Sequence, residues 1–296
     1  MKKTKPRLQA QPPLEFVYRG TAVAAGGFLT KLNGKPQETN PNTPTTHGES
    51  CLPLVGGVSR SAVDPKLPFP EFIRYGVCET FVWGRRVRDA TVTTLTASVS
   101  KVSLRTGPSP EDNVPDVKAI SFEADRFAIE VEARHPQEGQ PSFVLKKAEA
   151  VGMGLIVTRK TGENIRTPIE LEWNKAVISM TTMTHLEKAF LTKRTFFDQH
   201  VSLWRGRSAP VFGKSTLPKT AHGFFAGSFV KSIRLGDQVV KGNVLTTKGF
   251  GTITFGLMLA DEVSRRLSIA RIKMGSDPGA DLGFSGVETN GIWREN

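Results

Sequence analysis

The chain has 296 residues, a 38% hydrophobic fraction and a formal net charge of +12. That apolar content excludes a wholly disordered chain, and the charge points to a polyanionic partner, nucleic acid before an anionic membrane surface. No apolar run approaches the roughly 18 residues of a membrane-crossing helix.

Residues 1–13 form a basic arm (Lys2, Lys3, Lys5, Arg7) followed by glutamines and prolines. No apolar stretch follows those charges as it does in a secretory leader, so the expectation is a cytoplasmic protein. Cys51 and Cys78 then read as reduced thiols. A single elaborated domain is expected over 14–296, with an extended loop over 26–51.

Leu14 to Gly20 alternates as a strand does and ends in Arg19-Gly20. The stretch 34–49 has no apolar residue besides its prolines, which predicts a long exposed loop. Leu52 to Ser61 returns to buried positions and turns tightly. Pro65, Pro68 and Pro70 keep 64–70 irregular. Glu71 to Trp83 reads as a short helix followed by a strand, and Arg85, Arg86 and Arg88 come next. Thr91 to Leu104 is a Thr/Val strand, and Ala119 to Ala133 is another. His185 to Phe197 and Asp261 to Arg271 are the helix candidates. The glycines between 274 and 291 predict a closing loop. The sum is an α+β fold, richer in strands than helices, with no βαβ alternation.

The charge is concentrated. Between Glu187 and Lys248 stand eleven Lys/Arg, among them Lys193, Arg194, Arg205 and Arg207, against three acids. Phe and Trp residues lie between them, a composition suited to phosphates and stacked bases. The stretch ends in Lys248-Gly249-Phe250-Gly251-Thr252-Ile253-Thr254-Phe255, close to the RNP1 consensus of RNA-recognition motifs, with Thr252 as the departure. The plainer reading is a glycine turn leading into a buried strand. Ser208 to Ser215 is a near miss to a phosphate-binding loop, lacking its first glycine. The five histidines have no metal-ligand spacing, and a Cys51–His47 hydrolase has no assembled site. No cofactor, metal or catalytic residue is expected.

Three patches together resemble the RAMP superfamily, the modified RNA-recognition folds that form the backbone of CRISPR guide-RNA complexes. They are Val17-Tyr18-Arg19-Gly20-Thr21 before a polar loop, the return through Leu52, Pro53, Gly56, Gly57 and Arg60, and the Lys248–Gly251 turn. The resemblance implies a ferredoxin-like palm with long insertions. It implies copies of the chain multimerising along a single-stranded guide RNA beside other complex subunits. It also implies Arg60 at a phosphate, and Gly249 and Gly251 in a loop against the RNA. The expected RNA contacts are Arg19, Arg60, Lys193, Arg194, Arg205, Arg207, Lys248, Gly249, Phe250 and Gly251. The alternative is a structural coat protein whose basic arm neutralises packaged nucleic acid.

Overall fold

The computed structural model describes residues 14–32, 35–36, 45–67, 70–107, 114–174, 225–260, 264–275 and 279–295. Among them there is no helix. The chain runs through β1 (Leu14–Val17), β2 (Gly20–Leu32), β3 (Lys35–Pro36), β4 (Thr45–Cys51), β5 (Gly57–Val63), β6 (Ile73–Arg74) and β7 (Cys78–Val87). The long pair β8 (Ala90–Thr106) and β9 (Val117–Pro136) follows, then β10 (Ser142–Val151), β11 (Gly154–Arg159) and β12 (Asn164–Trp173). The last third holds β13 (Phe225–Ser228), β14 (Val230–Leu235), β15 (Gln238–Lys241), β16 (Val244–Thr247), β17 (Gly251–Ala260), β18 (Ser264–Met274), β19 (Gly279–Asn290) and β20 (Ile292–Glu295).

A ten-stranded sheet runs β15-β14-β12-β11-β9-β8-β7-β5, with β10 on β9 and β6 on β8. An eight-stranded sheet runs β13-β17-β18-β19-β2-β3, with β16 on β17 and β4 on β2. Every pairing is antiparallel, including a small β1–β20 pair. The sheets pack face to face through aromatic rings: Phe127 on Phe284 at 5.8 Å, Phe122 near Phe255 at 6.5 Å, and Tyr75 edge-on to Phe284 at 5.9 Å. Ser285 Oγ donates to the Phe127 carbonyl across the layer. The chain crosses between sheets at Phe229, which is fully buried on Trp173 and held by its N–H on the Gly256 carbonyl.

The expected α+β class, with its ferredoxin-like palm, is therefore corrected to all-β. The reason is visible strand by strand. In β18, Leu267 and Ile269, then Ile272 and Met274, point inward at a spacing of two, and the strand is paired on both sides, to β17 and β19. Two ladders override the local helix signal of Asp261 and Glu262. The glycine-rich stretch expected to be a closing loop is β19. The segment expected to be a short helix before Trp83 is β6, an irregular link and then β7. The end of the expected 34–49 loop is β4, whose inward positions are the small Gly48 and Ser50. Ser50 exchanges a 2.8 Å hydrogen bond with Thr80 on the facing sheet. The helix candidate at 185–197 and the arm at 1–13 lie outside the described residues.

Candidate nucleic-acid interface

Hairpin β7–β8 carries the sequence Trp83-Gly84-Arg85-Arg86-Val87-Arg88-Asp89 to one end of the sandwich. Alternation places Trp83 and Arg85 on the outer face of the ten-stranded sheet, and the Arg85 guanidinium lies 4.2 Å from the Trp83 ring centre. Arg86 lies on the other face of the strand, 5.6 Å over Trp293 of β20. Arg88 sits in the turn with φ 55° and an exposed side chain. Asp89 pairs with Arg134 of β9 at 3.8 Å. A guanidinium stacked on an indole keeps its N–H edges free for phosphate oxygens while its orientation is fixed.

Tyr18 ties this hairpin to the start of β2. Its ring fills the space over Gly84 and Gly56. A Cβ on Gly84 would fall 2.6 Å from the Tyr18 ring and 2.8 Å from Leu52. Burial raises the Tyr18 pKa and the nearby Arg86 charge opposes that rise, so the hydroxyl stays protonated. Beside it opens a cleft of about 360 Å³ whose lining includes Tyr18, Arg19, Cys51, Leu52, Glu288 and Asn290. Arg19 is exposed there, and its carbonyl accepts from the Asn290 N–H at 3.0 Å. Cys51 Sγ donates to Glu49 at 3.6 Å.

Of the expected RNA contacts, Arg19 and Arg60 come to this side of the molecule. Arg60 is exposed on β5 opposite Phe81, two residues along the strand from the Val58–Trp83 pair. The Lys248 turn does not join them. Gly251 pairs with Met274, which pairs with Ala280, whereas Arg19 borders the Gly20–Thr289 pair. Nine residues of β19 separate these positions, roughly 30 Å at strand rise. Lys248 is exposed, Gly249 turns with φ 79°, and Gly251, with φ 134°, brings the backbone onto the Lys273 carbonyl. Phe250, Ile253 and Phe255 are 0% exposed, so the octet is a glycine turn entering a core strand and offers no ring for stacking. Lys193, Arg194, Arg205 and Arg207 lie outside the described residues, as does the phosphate-loop near miss.

Arg85, Arg86 and Arg88 are not among the site residues expected from the sequence. Their signal there is three arginines within four positions after a tryptophan. Among the described residues no group of three His, Cys, Asp or Glu could hold a metal. No helix among the described residues is long and apolar enough to cross a membrane. No family model, curated protein or solved structure matches the chain.

Proposed function

We propose that the chain is a non-enzymatic, cytoplasmic nucleic-acid-binding protein that holds single strands, RNA in the first instance, by their backbone. The observation that carries this reading is the pair of tryptophan-stacked arginines at the β7–β8 hairpin, flanked by Arg88 and Arg19. Cations with fixed orientation at one end of a sheet, in a chain of net charge +12, suit a sugar–phosphate backbone read without sequence preference. Two free thiols, Cys51 and Cys78, fit a reducing compartment. The guide-RNA backbone subunit implied by the RAMP resemblance is the narrower form of the same proposal. Its multimers and partner subunits belong to that form.

The test is fluorescence anisotropy with a labelled single-stranded RNA 20-mer across a salt series. The double variant Arg85→Ala/Arg86→Ala should weaken binding about tenfold or more. It should also lower the salt slope by about 1.4, the share of two phosphate contacts on a single strand. Unchanged affinity and slope in a folded variant would overturn the reading.

The coat alternative has one observation in its favour: two large antiparallel sheets with an open strand, β5, at an edge. Deleting residues 1–13 separates the two readings. A coat protein loses its packaged nucleic acid, whereas binding through the arginine hairpin persists.

A further inference from the structure

Strand β5 ends the ten-stranded sheet, pairs among the described residues with β7 alone, and exposes Val58, Arg60 and Ala62 on its outer face. Exposed apolar side chains gather around it. Val58 is 61% and Val55 82% exposed, and Leu54, Val63, Val77 and Trp83 stand nearby. Six of the ten large exposed hydrophobics among the described residues belong to this one edge. Neither proline nor a bulge protects it within Gly57–Val63, the devices that ordinarily keep edge strands apart.

The charges along the edge select its occupant. Arg60 and Ala62 alternate on the outer face of β5, and Asp64 follows at the same spacing one residue past its end. Asp64 precedes Pro65, which favours extended backbone at Asp64. Arg60 and Asp64 are both exposed, and neither takes part in an ion pair among the described residues. An antiparallel strand of the same sequence, related by a two-fold axis at Ala62, sets Arg60 opposite the second copy's Asp64 and Asp64 opposite its Arg60. A register centred on Arg60 would oppose two arginines and is disfavoured.

We infer that a second copy of this chain pairs along β5, with Ala62 on the two-fold axis and two reciprocal Arg60–Asp64 pairs. Such an interface is isologous and closes as a dimer. Val63 faces Ser61 of the second copy and is covered by the junction. The axis stands normal to the sheet, so both outer faces look the same way. At this point the inference deepens the nucleic-acid reading, and the shared engagement of one nucleic-acid strand rests on that reading. The two Arg85 side chains then lie on one face, about 40 Å apart by strand rise, and one strand of nucleic acid can engage both.

The experiment is a charge-swap cycle on the full chain, freed of nucleic acid by nuclease and high salt, with mass measured by sedimentation equilibrium between 1 and about 100 μM. Wild type is expected as a dimer. Arg60→Asp and Asp64→Arg each place like charges in both reciprocal positions and should weaken dimerisation at least about tenfold. The double variant Arg60→Asp/Asp64→Arg restores opposite signs and should recover the dimer. Both positions are exposed, so thermal melting of all variants should match wild type at concentrations too low for wild type to dimerise. A monomeric wild type at the highest concentration overturns the interface. So does a double variant no better than the singles. RNA binding plays no part in the mass measurement, so a failure here leaves the nucleic-acid reading to its own test. If the dimer forms and Arg85→Ala/Arg86→Ala leaves RNA affinity unchanged, the interface stands and the nucleic-acid reading falls.

Discussion

Replacing Phe250 with alanine separates a core residue from a contact residue. The Phe250 ring is 0% exposed, and its main chain is fixed at both ends: its N–H donates to the Thr247 carbonyl at 3.1 Å, and its carbonyl accepts from Gly275 at 2.9 Å. Burying a phenylalanine removes roughly 150–200 Å² from water, worth about 4–5 kcal/mol at 25 cal/mol per Å². Measured Phe→Ala losses in cores run about 3–5 kcal/mol, because the cavity closes only in part. Phe250→Ala should therefore lower the unfolding free energy by about 4 kcal/mol and the melting temperature by about 10 °C. The assay is urea unfolding followed by tryptophan fluorescence, paired with RNA anisotropy under conditions where the variant stays folded. Affinity per folded molecule should match wild type. Lys248→Ala, at an exposed turn, should change stability by less than about 0.5 kcal/mol. If Phe250→Ala lost RNA affinity while keeping the wild-type urea midpoint, the placement of this ring in the core would be refuted.

Gly84→Val should be strongly destabilising, by about 1–3 kcal/mol or more, because its Cβ would overlap the Tyr18 ring and Leu52; circular-dichroism melting reads this directly. Gly152→Ala should also melt lower, since φ is 67° and a Cβ would overlap the Asp125 carboxylate. Alkylation at pH 8 should modify the exposed Cys51 and spare Cys78 until urea unfolds the chain, as peptide mass mapping would reveal. Burial, assisted by the Asp64 charge, pushes the Cys78 thiol up from 9.0 to about 12. The folded chain thus holds the proton that the unfolded chain releases near pH 9. The stability this contributes is complete below pH 9 and is lost between 9 and 12. The urea midpoint should fall across that window, and Cys78→Ala should flatten the fall; an equal slope in both proteins would remove Cys78 as its cause.

Strands were legible in the sequence wherever alternation was long and β-branched. The stretch 91–104 lies within β8, and 119–133 lies within β9. The place where alternation breaks was not anticipated, because 91–104 reads as one run of period two. Inward residues run Leu95, Ala97, Val99 and then Val102, Leu104 on β8, and Phe122, Ala124 and then Phe127, Ile129 on β9. Both strands shift by one between the Ser100–Arg126 and Val102–Ala124 pairs, where Lys101 takes φ 53°. What could not be read were strands lacking large side chains. β4 presents Gly48 and Ser50 inward, where a Cβ on Gly48 would fall 2.9 Å from Cys78 of the facing sheet, and β19 carries glycines at 283 and 286 that leave no side chain to mark alternation. The site was half legible. Arg19 and Arg60 were noted, but their distance from Lys248 depends on the order of strands in the sheet. No local pattern encodes that order.

The pairing of β2 with β19 also sets a timetable. Residues Gly20–Leu32 leave the ribosome early, and their partner Gly279–Asn290 follows roughly 250 residues later. At about 5–20 residues per second, the wait is roughly 12–50 s. Throughout it, the Ala22, Ala24 and Ala25 face of β2 and one whole backbone edge stay unpaired. The newly made chain therefore has a defined period of exposure in which chaperone binding, or pairing with a neighbouring nascent chain, competes with its own fold. Expression at low temperature, which slows synthesis, lengthens that period.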